Sequence, residues 1–508
     1  MKVLFERISM PGLAVMFILA GLWESAIASD FVSPRSLLSD NFINLNWPSS
    51  DRGGEIFPNK NEKRIPSLVM KLEHYGVIAD GVTDDSAAIN AALKKASQHG
   101  WSVQFPELKT TVAASPVIVP NGVPEIYGGT VSFVGKDSGF LLNGKHEGLL
   151  NNVKNLKIHD ITVNIGKKGM FGIRGSNVSN VTIDNVDVNG DSLKSRAILL
   201  IAYTAGGEDS EGIIISNNRV TLPGNEKGMM GIELVSELDF GKYDGAISLW
   251  RATKTTALAS YYMKGPIVHN NAIDGGYYGI SLAGVLGYDV KYNIVRNNMR
   301  NISAQHRSNH GNIYSNVLRD SVSSGIHLAY GSSDNKIQFN DIETSKARGE
   351  GLIQAYVGTK RNLFEYNTVT CTSRQGAKYL AYSGIHADGN VFRNNIFKGT
   401  FSRAAIAIEP AWDHNHSSQA HRGSFRGDKS SHEWANRSID GIVVEGNRLE
   451  VVATRKYAPE IMYSEIKDHE GTHSLKNFTI RNNFSIGGNM DHAIRVLKVG
   501  ALPEIESN

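Results

Sequence analysis

Between residues 305 and 382 the sequence concentrates side chains that can move protons and hold anions. They are Gln305, His306 and Arg307, then His327 and Tyr330, then Gln354, Tyr356, Lys360 and Arg361, and finally Tyr382. Histidine titrates near neutral pH and can act as a base. A tyrosine beside a cation can act as base or acid. Arginine and amide groups can neutralise a carboxylate. These types suit removal of the C5 proton of a uronic acid, a proton that is weakly acidic because a carboxylate adjoins it. The charge that develops as this proton leaves must be stabilised by the site. His327 or His306 is therefore the expected base, and Tyr356 or Tyr330 the acid towards the leaving oxygen. Arg307 with Gln354 is expected to hold the carboxylate, with Gln305, Lys360, Arg361 and Tyr382 binding substrate around them. Each has a structural alternative. His306 and His310 also suit turns in which the imidazole bonds the backbone. The three tyrosines also suit an aromatic ladder, and Arg307 and Arg361 also suit solvated surface charge.

These residues act together only if segments about two dozen residues apart are stacked in register. From about residue 155, short Val/Ile-rich segments alternate with Gly/Asn/Asp/Ser turns, and helical periodicity disappears. Asn residues two positions before an apolar residue recur at Asn218, Asn271, Asn297, Asn316, Asn340, Asn367, Asn394, Asn447 and Asn482, with Asp160 and Asn185 as possible earlier members. The spacing is roughly 25 residues, the length of one solenoid coil, and two intervals are about twice that. A second motif, a small residue before apolar-x-apolar, falls in the same repeats, as in Gly279-Ile280-Ser281-Leu282 and Gly325-Ile326-His327-Leu328. One such unit cannot bury its apolar side alone, but stacked coils can. Stacking also lets equivalent Asn amides bond from coil to coil. This predicts an all-β fold, a right-handed parallel β-helix. Because alternate strand residues point outward, His327, Gln354 and Tyr382 should occupy equivalent outward positions, with Gln305, Tyr356 and Tyr330 close by. The two doubled intervals imply insertions near 235–264 and 411–437, which should wall a groove on the coils between them.

The bulk composition agrees with one elongated domain. The chain has 508 residues, of which 20% are charged and 41% hydrophobic, so disorder is not expected. With 51 Gly and only 14 Pro, it favours tight turns over Pro-rich linkers. A net charge of +3 is too small to indicate nucleic acid or an anionic membrane as partner. Cys371 is the only cysteine, so no intramolecular disulfide can form and a large apolar core must supply the stability. At the N-terminus, Lys2 and Arg7 precede an apolar run from Leu13 to Leu22 and an Ala26-Ile27-Ala28 cleavage site. This pattern predicts a signal peptide over 1–28 and export to the periplasm or beyond. An extended lead-in over 29–66 follows, then a single domain over 67–508. Ala88, Ile89, Ala92, Leu93 and Ala96 recur at helical spacing, predicting a helix over about 84–97, capped by Thr83 or Asp84, that closes the first coil.

The stretch from Tyr75 to Leu93, with Tyr75-Gly76-Val77-Ile78-Ala79-Asp80-Gly81-Val82-Thr83-Asp84-Asp85 and then Phe105-Pro106, resembles the N-terminal signature of the pectate-lyase-like superfamily. The Asn-bearing coils resemble its β-helix repeats. The resemblance covers most of the chain from about residue 70. It implies the parallel β-helix and carbohydrate chemistry, but no single reaction, since the superfamily includes lyases, hydrolases, epimerases and phage fibres. The reading that the His, Tyr, Arg and Gln residues above favour is a polysaccharide lyase acting by β-elimination on an acidic polysaccharide, monomeric and with no cofactor. A hydrolase would need paired carboxylates, yet the central outward positions carry none. Asp320, Asp334 and Asp341 fall at turns or beside the ladder, Glu409 falls two coils away, and the Asp-rich signatures of polygalacturonase-like hydrolases are absent. A C5-epimerase shares the proton abstraction, but the Asp-Pro-His-Asp motif of alginate epimerases is missing, with only a distant echo in Glu409-Pro410-Ala411-Trp412-Asp413-His414. A polysaccharide-binding protein without activity is the alternative from another class. Asp413, His414, His416, His421 and His432 read as a polar loop and not a metal site, and no calcium cluster is seen.

Overall fold

The computed structural model describes residues 68–142, 153–202, 209–236, 263–346, 349, 351–384, 387–409, 439–455, 458–468, 471–473, 475–486 and 494–499. The expected signal peptide and lead-in lie outside the described residues. So do most of both expected insertions, including Asp413, His414, His416, His421 and His432.

The fold is a right-handed parallel β-helix. Its strands form three parallel ladders, joined where the chain runs through a corner without a break at Lys154–Ile165, Ser179–Gly190 and Ile396–Glu409. In one representative coil the first sheet takes Asn312–Tyr314, the second Val317–Arg319 and the third Ser324–Ala329. Each pairs in register with the same strand of the next coil. The period-2 alternation of these strands sends one set of side chains inward. On the third sheet the inward set is Ile198, Ile232, Ile280, Ile302, Ile326, Ile353, Ala381 and Ile406, all fully buried. Seven stacked isoleucines and Ala381 form a close-packed inner column, and this core stabilises the fold without a disulfide.

The first coil is closed by a helix over Ser86–His99, which buries Ile89, Leu93 and Ala96. Asp85 is its N-cap residue. The carboxylate of Asp84 accepts the Ser86 N–H at 3.1 Å, while that of Asp85 accepts the N–H groups of Ile78 and Ala79. Asn90 ties the helix to the strand below, accepting the Ile118 N–H at 2.7 Å and donating to the Pro116 carbonyl at 2.9 Å.

The corner between the first and second sheets carries the Asn ladder, with three corrections to the expected membership. Its members are Asn218, Asn271, Asn293, Asn316, Asn340, Asn367, Asn395, Asn447 and Asn483. Asn293 replaces Asn297, Asn395 replaces Asn394, and Asn483 replaces Asn482. From Asn271 onward each Oδ1 accepts both the backbone N–H and the side-chain N–H of the Asn one coil earlier, as Asn367 does for Asn340 at 3.0 and 2.9 Å. The residue just before each rung must be left-handed to turn the corner, and Asn is among the few types that tolerate this. Asn394 (φ 56°) and Asn482 (φ 52°) occupy that turn position. In an Asn-Asn pair, residue type cannot tell the turn from the rung. Asn297 instead donates to Asp274 at 2.7 Å at the far end of the second sheet. Towards the N-terminus the ladder does not continue through Asp160 and Asn185. The equivalent inner positions there are Ile161 and Val186, and Val186 donates its N–H to Asn218 at 3.0 Å.

A second, shorter ladder was not expected. Asn335, Asn362 and Asn390 stack at the corner between the third and first sheets. Tyr288 lies fully buried over Gly311 and donates its hydroxyl to Asn335 at 2.9 Å. A Cβ at position 311 would sit 2.2 Å from the Tyr288 ring, so only glycine leaves room for it.

Candidate active site on the outward face of the third sheet

The pairing register fixes the outward positions of the third sheet. One column runs Glu233, Ser281, Ser303, His327, Gln354, Tyr382, Ala407 and Met462. The column beside it holds Ala329, Tyr356, Gly384 and Glu409, with Gln305 paired to Ala283 further back. On the other side run Tyr278, Arg300 and Ser324. His327, Gln354 and Tyr382 thus stand on successive coils about 4.8 Å apart, with Tyr356 next to them.

These side chains leave the coil core but are buried: His327 is 1% exposed, Gln354 4% and Tyr382 2%. Ala329, Tyr330, Tyr356, Tyr379, Tyr382 and Met462 belong to an apolar cluster separate from the main core. Its rings form a continuous stair. The Tyr356 centroid is 6.4 Å from that of His327 and 6.1 Å from that of Tyr382, and Tyr382 stacks on Tyr379 at 5.3 Å.

His327 is held from the preceding coil. Its Nδ1 lies 3.0 Å from Ser303 Oγ, and Gln305 Nε2 donates to the same Oγ at 2.8 Å. Ser303 Oγ is also within 3.5 Å of the His327 carbonyl, to which it can donate. It can then accept from both Gln305 and an Nδ1–H, the arrangement that leaves Nε2 as the basic nitrogen. Burial holds the His327 pKa well below that of a free imidazole, helped by the positive charge of Arg300 and by His306. Arg300, one coil back, donates to the Tyr278 hydroxyl at 2.9 Å. Burial also pushes His306 down to about 4. Both imidazoles are therefore neutral at neutral pH.

The other sequence candidates separate into two groups. His306 and Tyr330 occupy left-handed turn positions where the third sheet ends, with rings stacked at 4.9 Å and almost parallel. Arg307 follows in the same turn and donates its N–H to the Tyr330 carbonyl at 3.0 Å. Lys360 and Arg361 lie further round, near the start of the first sheet, each held by a carboxylate of a neighbouring coil. Lys360 pairs with Asp388 at 2.7 Å, and Arg361 grips both oxygens of Asp334 at 2.7 Å. The structure therefore brings His327, Gln354, Tyr356 and Tyr382 together, sets Gln305, His306, Arg307 and Tyr330 at their edge, and places Lys360 and Arg361 apart.

Sequence reasoning missed Ser303, Arg300 and Tyr278. The signal for Ser303 was present: Ile302-Ser303-Ala304 repeats the motif that placed His327. Arg300 sits outward on the same strand, but only the pairing with Tyr278 sets its neighbours. Two buried carboxylates were also underweighted. Glu233 pairs with Arg196 at 2.9 Å. Glu409 accepts from the Tyr379 hydroxyl at 3.1 Å and pairs with Arg403 at 3.0 Å. They stand three coils to either side of His327, so roughly 29 Å of stacked coils separates them, whereas the paired carboxylates of glycoside hydrolysis lie about 5–9.5 Å apart. Among the described residues, no group of three or more His, Cys, Asp or Glu converges to hold a metal.

Comparison with known proteins adds the following. The profile of a family described as "Periplasmic copper-binding protein (NosD)" matches residues 248–426. No curated protein matches the sequence. Among solved structures, the A-module of a mannuronan C-5 epimerase from Azotobacter vinelandii is similar at 14% identity and TM-score 0.51, covering 77% of this chain and 98% of that one. A periplasmic alginate epimerase is similar at 12% identity and TM-score 0.49, covering 76% and 84%. A surface adhesin of Streptococcus pneumoniae is similar at 14% identity and TM-score 0.47, covering 86% and 93%. The first of these likenesses concerns the fold alone, and with the ladders above it shows a right-handed parallel β-helix.

Proposed function

We propose that the protein is an exported enzyme that removes the C5 proton of a uronate unit in an acidic polysaccharide, with His327 as the base, and that it completes the reaction as a lyase by β-elimination. The observation that carries this reading is the Gln305–Ser303–His327 relay on the outward face, which fixes a neutral imidazole in a face of aromatic and amide groups. His327 Nε2 takes the C5 proton. The electron pair forms the C4–C5 double bond, and the C4–O bond breaks. The leaving oxygen takes a proton from Tyr356, whose ring neighbours His327 and Tyr382. Arg300 supplies positive charge on the coil beside His327 and, with Gln354, neutralises the uronate carboxylate as charge develops on it. This role moves from Arg307, at the edge, to Arg300, on the face. Tyr382 and Tyr379 stack on one another beneath the site and back the Tyr356 ring. The substrate class rests on this chemistry, and the epimerase of similar fold is named for a polymer of that class.

The test is incubation of the mature protein with alginate, polygalacturonate and other acidic polysaccharides while following the ultraviolet absorbance of an unsaturated uronate. A rise that disappears in His327→Ala supports the reading. New reducing ends without that absorbance overturn it in favour of hydrolysis. Exchange of the C5 proton with solvent, without chain cleavage, keeps His327 as base but replaces elimination with epimerisation.

A further inference from the structure

The corner that carries the Asn ladder has a second feature, on its outer side. The left-handed turn position before each rung is Asn217, Asn270, Tyr292, Ser315, Phe339, Tyr366, Asn394, Gly446 and Asn482 in successive coils. Asn and Gly suit this conformation, but a bulky aromatic residue there is strained. Tyr292, Phe339 and Tyr366 all have φ 56°. They remain 51%, 56% and 48% exposed. Tyr314, the last residue of its first-sheet strand, fills the coil where the turn is Ser315, and its ring meets that of Tyr292 at 5.7 Å. Phe339 and Tyr366 lie almost parallel at 5.3 Å. Four consecutive coils thus present an exposed aromatic strip along the solenoid axis, on a different edge from the third-sheet face.

The surroundings of the strip are polar and of mixed character. Lys291 lies over the Tyr314 ring at 5.7 Å. Beside Phe339 and Tyr366, Gln338 donates to Glu365 at 3.0 Å, and Arg393 holds the other oxygen of Glu365 at 2.7 Å. Flat rings rimmed by both donors and acceptors suit a ligand with apolar C–H faces and a hydroxyl periphery. A purely apolar protein surface would leave that rim unsatisfied. The coil rise of about 4.8 Å spaces the rings at close to the length of one pyranose unit. Left-handed backbone at three exposed aromatic residues, where Asn would be less strained, is a reason to look for a function at these positions.

We infer that Tyr292, Tyr314, Phe339 and Tyr366 form a second polysaccharide-binding site, without catalysis, in which the exposed ring edges and the ring faces not covered by a neighbour contact the C–H faces of a glycan. It does not depend on which reaction occurs at His327. The experiment is native gel electrophoresis of the full chain through gels containing alginate, polygalacturonate, hydroxyethyl cellulose or no polymer. It compares the wild type, His327→Ala and the combined variant Tyr292→Asn, Phe339→Asn, Tyr366→Asn. These substitutions install the residue that other coils already use at the turn, and circular dichroism melting of the combined variant checks that it folds. Retardation of the wild type and of His327→Ala by at least one polymer, reduced at least 5-fold in apparent affinity in a combined variant that melts normally, supports the site. Equal retardation of wild type and combined variant overturns it. So does absence of retardation by every polymer, whatever the turnover at His327.

Discussion

Two columns of stacked side chains run up this solenoid on different sides. At the corner between the first and second sheets, every coil from Asn218 to Asn483 places the same side chain, and each amide bonds to the next. On the outward face of the third sheet, the same coils place Glu233, Ser281, Ser303, His327, Gln354, Tyr382, Ala407 and Met462 in one column. The first stack repeats because every rung faces the same problem, a buried backbone at a corner that needs donors and acceptors. The second does not repeat, because outward side chains are released from the demands of the core. Uniformity along a β-helix column therefore reports stability, and departure from it reports a site.

Breaking a ladder rung should have the largest effect on stability. Asn340 donates to the Ile313 and Gln338 carbonyls and to Asn367, and its Oδ1 accepts from Asn316. Asn340→Ala strands several of these buried groups and should destabilise the protein by about 3 kcal/mol or more. It should lower the denaturant midpoint while leaving the turnover per folded molecule close to that of the wild type.

His327→Ala should do the reverse. Loss of a general base should reduce turnover by about 10²–10⁴-fold, with a midpoint shift much smaller than that of Asn340→Ala. A midpoint shift as large as the ladder variant's would assign His327 a structural role. Ser303→Ala should be milder, lowering kcat about 10-fold through loss of one hydrogen bond that orients the imidazole, with KM nearly unchanged. An increase in KM alone would place Ser303 in substrate binding.

The pH dependence distinguishes the stacks further. His306 and His327 are both depressed by burial, so the unfolded chain binds more protons than the folded one below its ordinary histidine pKa of about 6.5. Their contribution to stability is complete above about 6.5 and is lost as the pH falls towards the folded value, which for His306 is about 4. The base is already neutral at mildly acidic pH, so the acid limb of kcat/KM should lie below 6.5. The Asn ladder contains nothing that titrates. Urea midpoints measured in this range should therefore shift less with pH in a double His306→Gln, His327→Gln variant than in the wild type. An acid limb centred at or above 6.5 would remove His327 as the base.

The sequence alone determined the fold class, because a coil-length repeat of short apolar strands with no helix in each unit has few ways to bury its apolar side. It also determined that His327, Gln354 and Tyr382 share a column, because strand period and repeat length together fix parity and stacking. It could not separate the rungs Asn293, Asn395 and Asn483 from Asn297, Asn394 and Asn482, because the left-handed turn and the buried rung accept the same residue type. Only the tertiary structure decided that Arg300 stands on the face while Lys360 and Arg361 are held by Asp388 and Asp334. It likewise decided that Ser303 reaches forward to the next coil to orient His327. Those assignments depend on which coils are neighbours and on how side chains cross between them, and no periodicity within one strand encodes that contact.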